Sequence, residues 1–210
     1  MRANLRRKFV VMEELLPLMN NYKLVLGSGS PRRKELLAGM GLTFEVRVSD
    51  VDESIDPSWP LTEVAQRLAE RKAKALLETA EANELVITAD TVVHVEGTLL
   101  NKPADFEEAL SMLKQLSGRS HEVYTGVCIS TSTWKHSFTD CTKVTFAEMS
   151  EAVLRFYIEH YKPFDKAGSY GAQDFIGLVG IVNLEGSYFN VMGLPTHKVY
   201  AALKEHFGKA

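Results

Sequence analysis

The chain has 210 residues, 45% hydrophobic and 24% charged, an ordinary balance for a soluble globular protein long enough to bury a core. A net charge of −3 with no extended basic stripe counts against direct nucleic-acid binding. Two cysteines, Cys128 and Cys141, lie outside any CxxC pair and make no disulfide scaffold, and no apolar run approaches the ~20 residues of a membrane span. Glu13 and Glu14 interrupt any signal-peptide core after the basic N-terminus, so the chain reads as cytoplasmic with reduced thiols.

Residues 1–21 read as an N-terminal extension, with a short amphipathic helix over 9–16 stopped near Pro17, and 22–210 as a single domain. Tyr22–Leu26 reads as a strand, Gly27–Ser30 as a small-residue loop and Pro31–Gly41 as a short helix. A second strand over Phe44–Val48 leads into an acidic loop, Asp50–Asp56. Apolar residues at helical spacing predict a long helix from Thr62 to about Ala80. Leu85–Val95 is rich in β-formers and ends on Glu96-Gly97, a hairpin signal. A helix over Asp105–Leu116 stops before Gly118, two β-runs follow near 121–131 and 136–147, and Ser150 caps a helix to Tyr161. After a glycine-rich loop at Asp165–Gly171, the runs Leu178–Leu184 and Ser187–Met192 read as a hairpin across Glu185-Gly186, and Pro195 opens a last helix to Phe207. Interleaved helices and several hairpins predict an α/β fold with a mixed, largely antiparallel sheet and helices packed on it.

Four stretches carry candidate chemistry. In Gly27-Ser28-Gly29-Ser30-Pro31-Arg32-Arg33, Ser30 and Pro31 suit the start of a helix, yet the first turn holds two cations at a pole that favours acids. Small residues, free backbone N–H groups and two guanidinium forks suit a polyphosphate. An ordinary capped helix with solvated arginines fits the same stretch. Asp90 sits inside an almost wholly apolar run, where a carboxylate needs a partner or a metal; it is a general-base or ligand candidate, and equally a structural ion pair. The turn after it can return Lys102 toward Asp90. Asp50, Asp52, Glu53 and Asp56 crowd one loop, where acids hold magnesium or are simply solvated. Of Arg67, Arg71, Lys72 and Lys74 on the next helix, periodicity does not say which faces a phosphate. Late in the chain Tyr170 offers stacking and Gln173 a donor and acceptor for a base edge, in what is otherwise a plain helix-to-strand connection.

Six motifs in one order, Ser28-Gly-Ser-Pro-Arg-Arg-Lys-Glu-Leu-Leu37, Ala89-Asp-Thr-Val-Val93, Asn101-Lys-Pro103, Leu116-Ser-Gly-Arg-Ser-His121, Asp165-Lys-Ala-Gly-Ser-Tyr-Gly-Ala-Gln173 and Val191-Met-Gly-Leu-Pro195, closely resemble the Maf family of nucleotide pyrophosphatases across residues 22–207. The resemblance implies an inosine-triphosphatase-like fold with a bent sheet and two lobes around a cleft. It implies hydrolysis of a nucleoside triphosphate between the α- and β-phosphates with Mg2+ or Mn2+. It puts Asp90 on the catalytic acid, a proton acceptor that also faces the metal, and Glu53 or Asp52 on a further acid near the metal. Arg32, Thr91 and Gln173 fall on positions tied to base choice, and Ser28, Arg33, Lys72 and Lys102 fall with the phosphate-binding set. Pro31-Arg32-Arg33 with Gln173 resembles the dTTP/UTP branch rather than the 7-methyl-GTP branch. Gly27 and Asp174 depart from the commoner alanine and glycine. A homodimer is a further family expectation, while stable nucleic-acid and membrane partners are not expected. A nucleic-acid-binding or cell-division regulator without turnover is the rival outside enzymes.

Overall fold

The computed structural model describes residues 17–208, so the helix expected at 9–16 lies outside the described residues. Seven strands form one sheet: β1 (Lys23–Leu26), β2 (Glu45–Val46), β3 (Glu84–Val95), β4 (Thr98–Leu100), β5 (Ser120–Ser130), β6 (Lys135–Phe146) and β7 (Ile181–Glu185). Their order is β2-β1-β3-β5-β6-β7, with β4 also on β3. β1 runs parallel to β2 and β3, and every other pairing is antiparallel, so the sheet is mixed and largely antiparallel as expected. The helices are α1 (Pro31–Gly39), α2 (Val64–Leu77), α3 (Phe106–Leu116), α4 (Glu151–Tyr161), α5 (Phe175–Gly180), α6 (Tyr188–Val191) and α7 (Thr196–Phe207).

The twelve-residue strand β3 is the axis of the molecule. Side chains alternate across a strand, so its two faces meet different neighbours. Val86 and Val92 point to α2, packing with Leu76 and with Val64, Ala65, Leu68 and Tyr124 respectively. On the other face the apolar neighbours divide. Ile87 and Ala89 join a core with Leu36, Leu37, Val199 and Leu203 from α1 and α7. Val93 and Val95 join a second core with Leu113, Leu116, Tyr157 and Phe146. Thr91 lies between these two cores, and the cleft between the two lobes opens there.

Close contact of α2 with the sheet needs a residue without a side chain. Gly126 pairs with Asp90 in the β3–β5 register, and a Cβ on it would lie 2.1 Å from the backbone nitrogen of Gln66. The hydroxyl of Thr88 donates to the carbonyl of Ala69 at 2.7 Å and fixes the helix along its axis. The second strand is shorter than expected, two residues; just past it the Arg47 N–H donates to the carbonyl of Leu26 at 3.1 Å and its side chain forms a bidentate pair, at 2.8 Å each, with the buried Glu84.

The hairpin expected over 178–192 is absent. Residues 175–180 are helical, only 181–185 pair with β6, and 188–191 form a helical turn. Leu178 and Val179, apolar as a strand would have them, stand on an exposed face of α5. Ser187 caps α6 by accepting from the Asn190 N–H, and the buried Asn190 amide donates to the carbonyl of Val123 and the hydroxyl of Thr142. A buried amide with two fixed acceptors outweighs the β-propensity of its neighbours.

Gly126→Ala should push α2 from the sheet and destabilise the fold by about 2–3 kcal/mol. The urea midpoint would fall at an unchanged slope.

Candidate active site

The cleft has a volume of about 390 Å³, within the usual range of small-molecule sites. Its wall brings together Ser28, Arg32, Arg33, Glu53, Lys72, Asp90, Thr91, Lys102 and Gln173, which the sequence offers from six separate stretches.

The loop between β1 and α1 forms one side. Ser30 occupies the N-cap position of α1, but its hydroxyl makes no capping bond, and no acid follows in the first turn. The positive end of the helix therefore faces the cleft without an anion of its own. Arg33 turns inward from that first turn. Its Nε donates to the carbonyl of Gly193 at 2.8 Å, and its terminal nitrogens donate to the hydroxyls of Ser28 at 3.1 Å and Thr91 at 3.0 Å. All three acceptors are neutral. Burial pulls the guanidinium below its usual value, and the charge of Asp90 opposes that pull. Arg32 reaches across the cleft mouth to Asp165 at 3.2 Å.

The opposite side is built on β3. Asp90 is nearly buried, with Oδ1 accepting from the Thr91 N–H at 2.7 Å and Oδ2 lying 2.6 Å from the Lys72 ammonium. Lys72 also pairs with Glu53 at 2.8 Å, so two carboxylates converge on one cation. Of the four cations on α2, Lys72 is the one on the cleft wall. Arg67 pairs with Glu63, and Arg71 donates to the carbonyls of Asp52 and Ser54 while lying over the Trp59 ring. That grip holds Glu53 toward the cleft, whereas Asp52 turns back to accept from Ser54. The hairpin brings Lys102 to the cleft as expected, but its carboxylate neighbour is Glu53, at 3.7 Å, rather than Asp90.

Thr91 links the two sides. Its hydroxyl lies 3.0 Å from that of Thr125, which donates to the carbonyl of Asn190. On the far lobe, Lys166, Tyr170 and Gln173 complete the wall. Two oxygens there and beside the first loop, Gln173 Oε1 and Ser49 Oγ, are buried without a hydrogen-bond partner. Lys166, Gly193 and Ser49 were not among the residues chosen from the sequence. Lys166 and Gly193 lie within the quoted motifs, while Ser49 carried no signal of its own. Beneath Tyr170, the buried His121 places Nε2 2.8 Å from the phenolic oxygen and meets the rings of Tyr170 and Phe146 edge-on.

In this arrangement five cationic side chains and an open helix end face a confined volume, beside two convergent carboxylates and an amide with an unpaired oxygen. Such a site neutralises a polyphosphate while presenting a base and a recognition group to the rest of the ligand.

Comparison with known proteins gives one family. The family model described as Maf-like protein matches residues 23–206. A dTTP/UTP pyrophosphatase of Bacteroides fragilis is 47% identical over 192 residues, covering 91% of this chain and 100% of that protein. One from Porphyromonas gingivalis is 47% identical over 93% of this chain and 100% of that protein, and one from Flavobacterium psychrophilum is 45% identical over 89% and 95%. Among solved structures, the Ham1 protein of Staphylococcus aureus matches at 15% identity and a TM-score of 0.41, over 60% of this chain and 72% of that one. No helix among the described residues is long and apolar enough to cross a membrane.

Burial pushes the imidazole of His121 down from 6.5 to about 4. The unfolded chain therefore binds a proton that the folded chain excludes. This contribution to stability is fully present above pH 6.5 and is lost as pH falls toward 4. The loss should approach about 3 kcal/mol. Denaturant titrations between pH 7 and pH 4 should show it, and His121→Gln should flatten that part of the profile.

Proposed function

This chain belongs to the Maf family, and from that premise we propose that it hydrolyses dTTP and UTP to the nucleoside monophosphate and pyrophosphate. It is an enzyme, a nucleoside triphosphate pyrophosphatase. The observation that carries the finer reading is the convergence of Arg33, Lys72 and Lys102 with Asp90 and Glu53 on one cleft.

The triphosphate lies along the first loop, with its charge met by Arg33, Lys102 and the open end of α1. Gln173 and Thr91 stand where the base and sugar enter, with Arg32 at the mouth. Asp90 accepts the proton of the water that attacks the α-phosphorus, and the bond to the bridging oxygen of the β-phosphate breaks. Lys72 fixes the Asp90 carboxylate in place and faces the negative charge that grows on the departing pyrophosphate.

A divalent cation fits the donor set. Asp90 and Glu53 each turn one oxygen toward the same ammonium, and magnesium commonly takes one or two carboxylates and fills its shell with water and substrate phosphate oxygens. Among the described residues no group of three or more metal-ligating side chains assembles, so the substrate itself would complete the shell. Asp90 and Glu53 would hold the ion, which supplies Lewis-acid polarisation of the phosphoryl oxygens when bound.

Pyrophosphate release should be fastest from dTTP and UTP in a panel with CTP, GTP, ATP and 7-methyl-GTP, and chelator should stop it. Release from 7-methyl-GTP alone would move the chain to the other branch, and release from none would contradict the activity. Asp90→Asn should lower kcat by about 100- to 10,000-fold while nucleotide binding persists. Near-normal turnover in that variant would remove Asp90 from the role.

A further inference from the structure

The turn that carries Gln173 is gripped from below by a buried phenol. Tyr157, on α4, is wholly buried. Its hydroxyl accepts from the Gly171 N–H at 3.1 Å and donates to Asp174 Oδ2 at 2.9 Å. The Asp174 N–H donates in turn to the carbonyl of Gly171 at 3.0 Å, closing a turn over residues 171–174. One hydroxyl thus holds both ends of a four-residue turn, with Gln173 inside it. Lys166, 3.7 Å from the same Asp174 oxygen and 2.8 Å from Asp165, ties the turn to the cleft mouth.

The fit leaves no slack. A Cβ on Gly171 would lie 2.4 Å from Asp174 Oδ2, so the carboxylate fills the space that a larger residue would need. Burial and the nearby Asp174 carboxylate push the Tyr157 phenol up, so it remains a donor across the ordinary pH range. Gln173, by contrast, has no partner for its buried Oε1. With that oxygen unanchored, its aim into the cleft depends on the backbone of the turn.

We propose that Tyr157 and Asp174 are positioning residues for base selection: together they staple the 171–174 turn so that Gln173 meets the hydrogen-bonding edge of a pyrimidine in one fixed orientation. The proposal rests on the pyrophosphatase reading and adds to it a cause of specificity remote from the phosphates. Neither residue lines the cleft, so loosening the staple alters the choice between bases and leaves cleavage itself in place. A site that pairs a base edge rejects the wrong edge only while its own group is held in register. Uracil and cytosine differ at that edge by an acceptor against a donor.

The test is kcat and KM, measured separately for UTP and CTP, in the wild type, Tyr157→Phe, Asp174→Ala, Gln173→Ala and the Tyr157→Phe/Gln173→Ala double variant. Asp174→Ala removes the acceptor of the Tyr157 hydroxyl at a half-buried position and guards against a folding defect in the core variant. The wild type should prefer UTP, and each staple variant should reduce that preference by about 10-fold, through KM with kcat little changed. The double variant should be no less selective than Gln173→Ala alone, and inhibition by inorganic tripolyphosphate should not move. Equal losses on both nucleotides, or a loss that adds to that of Gln173→Ala, would overturn the proposal and leave the staple a structural element. Cleavage of neither nucleotide by the wild type would overturn the pyrophosphatase reading first and this proposal with it.

Discussion

A guanidinium held only by neutral oxygens is the constraint from which this site is built. Arg33 takes one acceptor from the first loop, one from the centre of β3 and one from the segment before α7. Three distant parts of the chain must be in place before those three bonds form. None of its hydrogen-bond partners returns a negative charge. A cation withdrawn from water without an anion is costly, and a bound phosphate completes what the fold leaves open. The carboxylates that lie near are committed elsewhere, to Lys72 and Lys102.

The architecture serves that arrangement. A single long strand passes through both lobes, and its residues change allegiance from one core to the other across Thr91. The cleft exists because β3 is longer than β1, its parallel neighbour, which pairs only with residues 84–87. Between residue 87 and the pairing of β4 with residues 93–95 that flank is open, and the loop that lines the cleft leaves β1 there. On the other face the same strand receives α2, pressed close at Gly126, which carries Lys72 to Asp90. Damage to the α2 contact therefore displaces the Lys72–Asp90 pair in the cleft as well.

Much of this was legible in the sequence, for local reasons. The two arginines in the first turn of α1 contradict helix electrostatics, and an acid within an apolar strand contradicts burial; both conflicts mark positions on the cleft. Motif order then joined stretches that no periodicity connects. What remained hidden depends on distance in space. Lys72 could not be told from Arg67, Arg71 and Lys74, because what separates them is contact with the sheet and with the acidic loop rather than helical spacing. The run 178–192 reads as two strands because Leu178, Val179 and Val182 have the composition of a strand; at its far end the buried Asn190 bonds to Val123 of β5 and Thr142 of β6, partners that lie outside the segment. Tyr157 gave no sign of reaching the Gln173 turn, since on its own helix it is one aromatic among several.

Arg33 is either an anion receptor or a structural brace, and Arg33→Met separates the two. Calorimetric titration with a non-hydrolysable α,β-imido analogue of dUTP should show affinity reduced on the order of 100-fold in the variant. The stability of the free protein should change by no more than about 1 kcal/mol, because a buried cation and its desolvation disappear together. Undiminished affinity in a variant that has lost several kcal/mol of stability would contradict the account and make Arg33 a strut between the lobes.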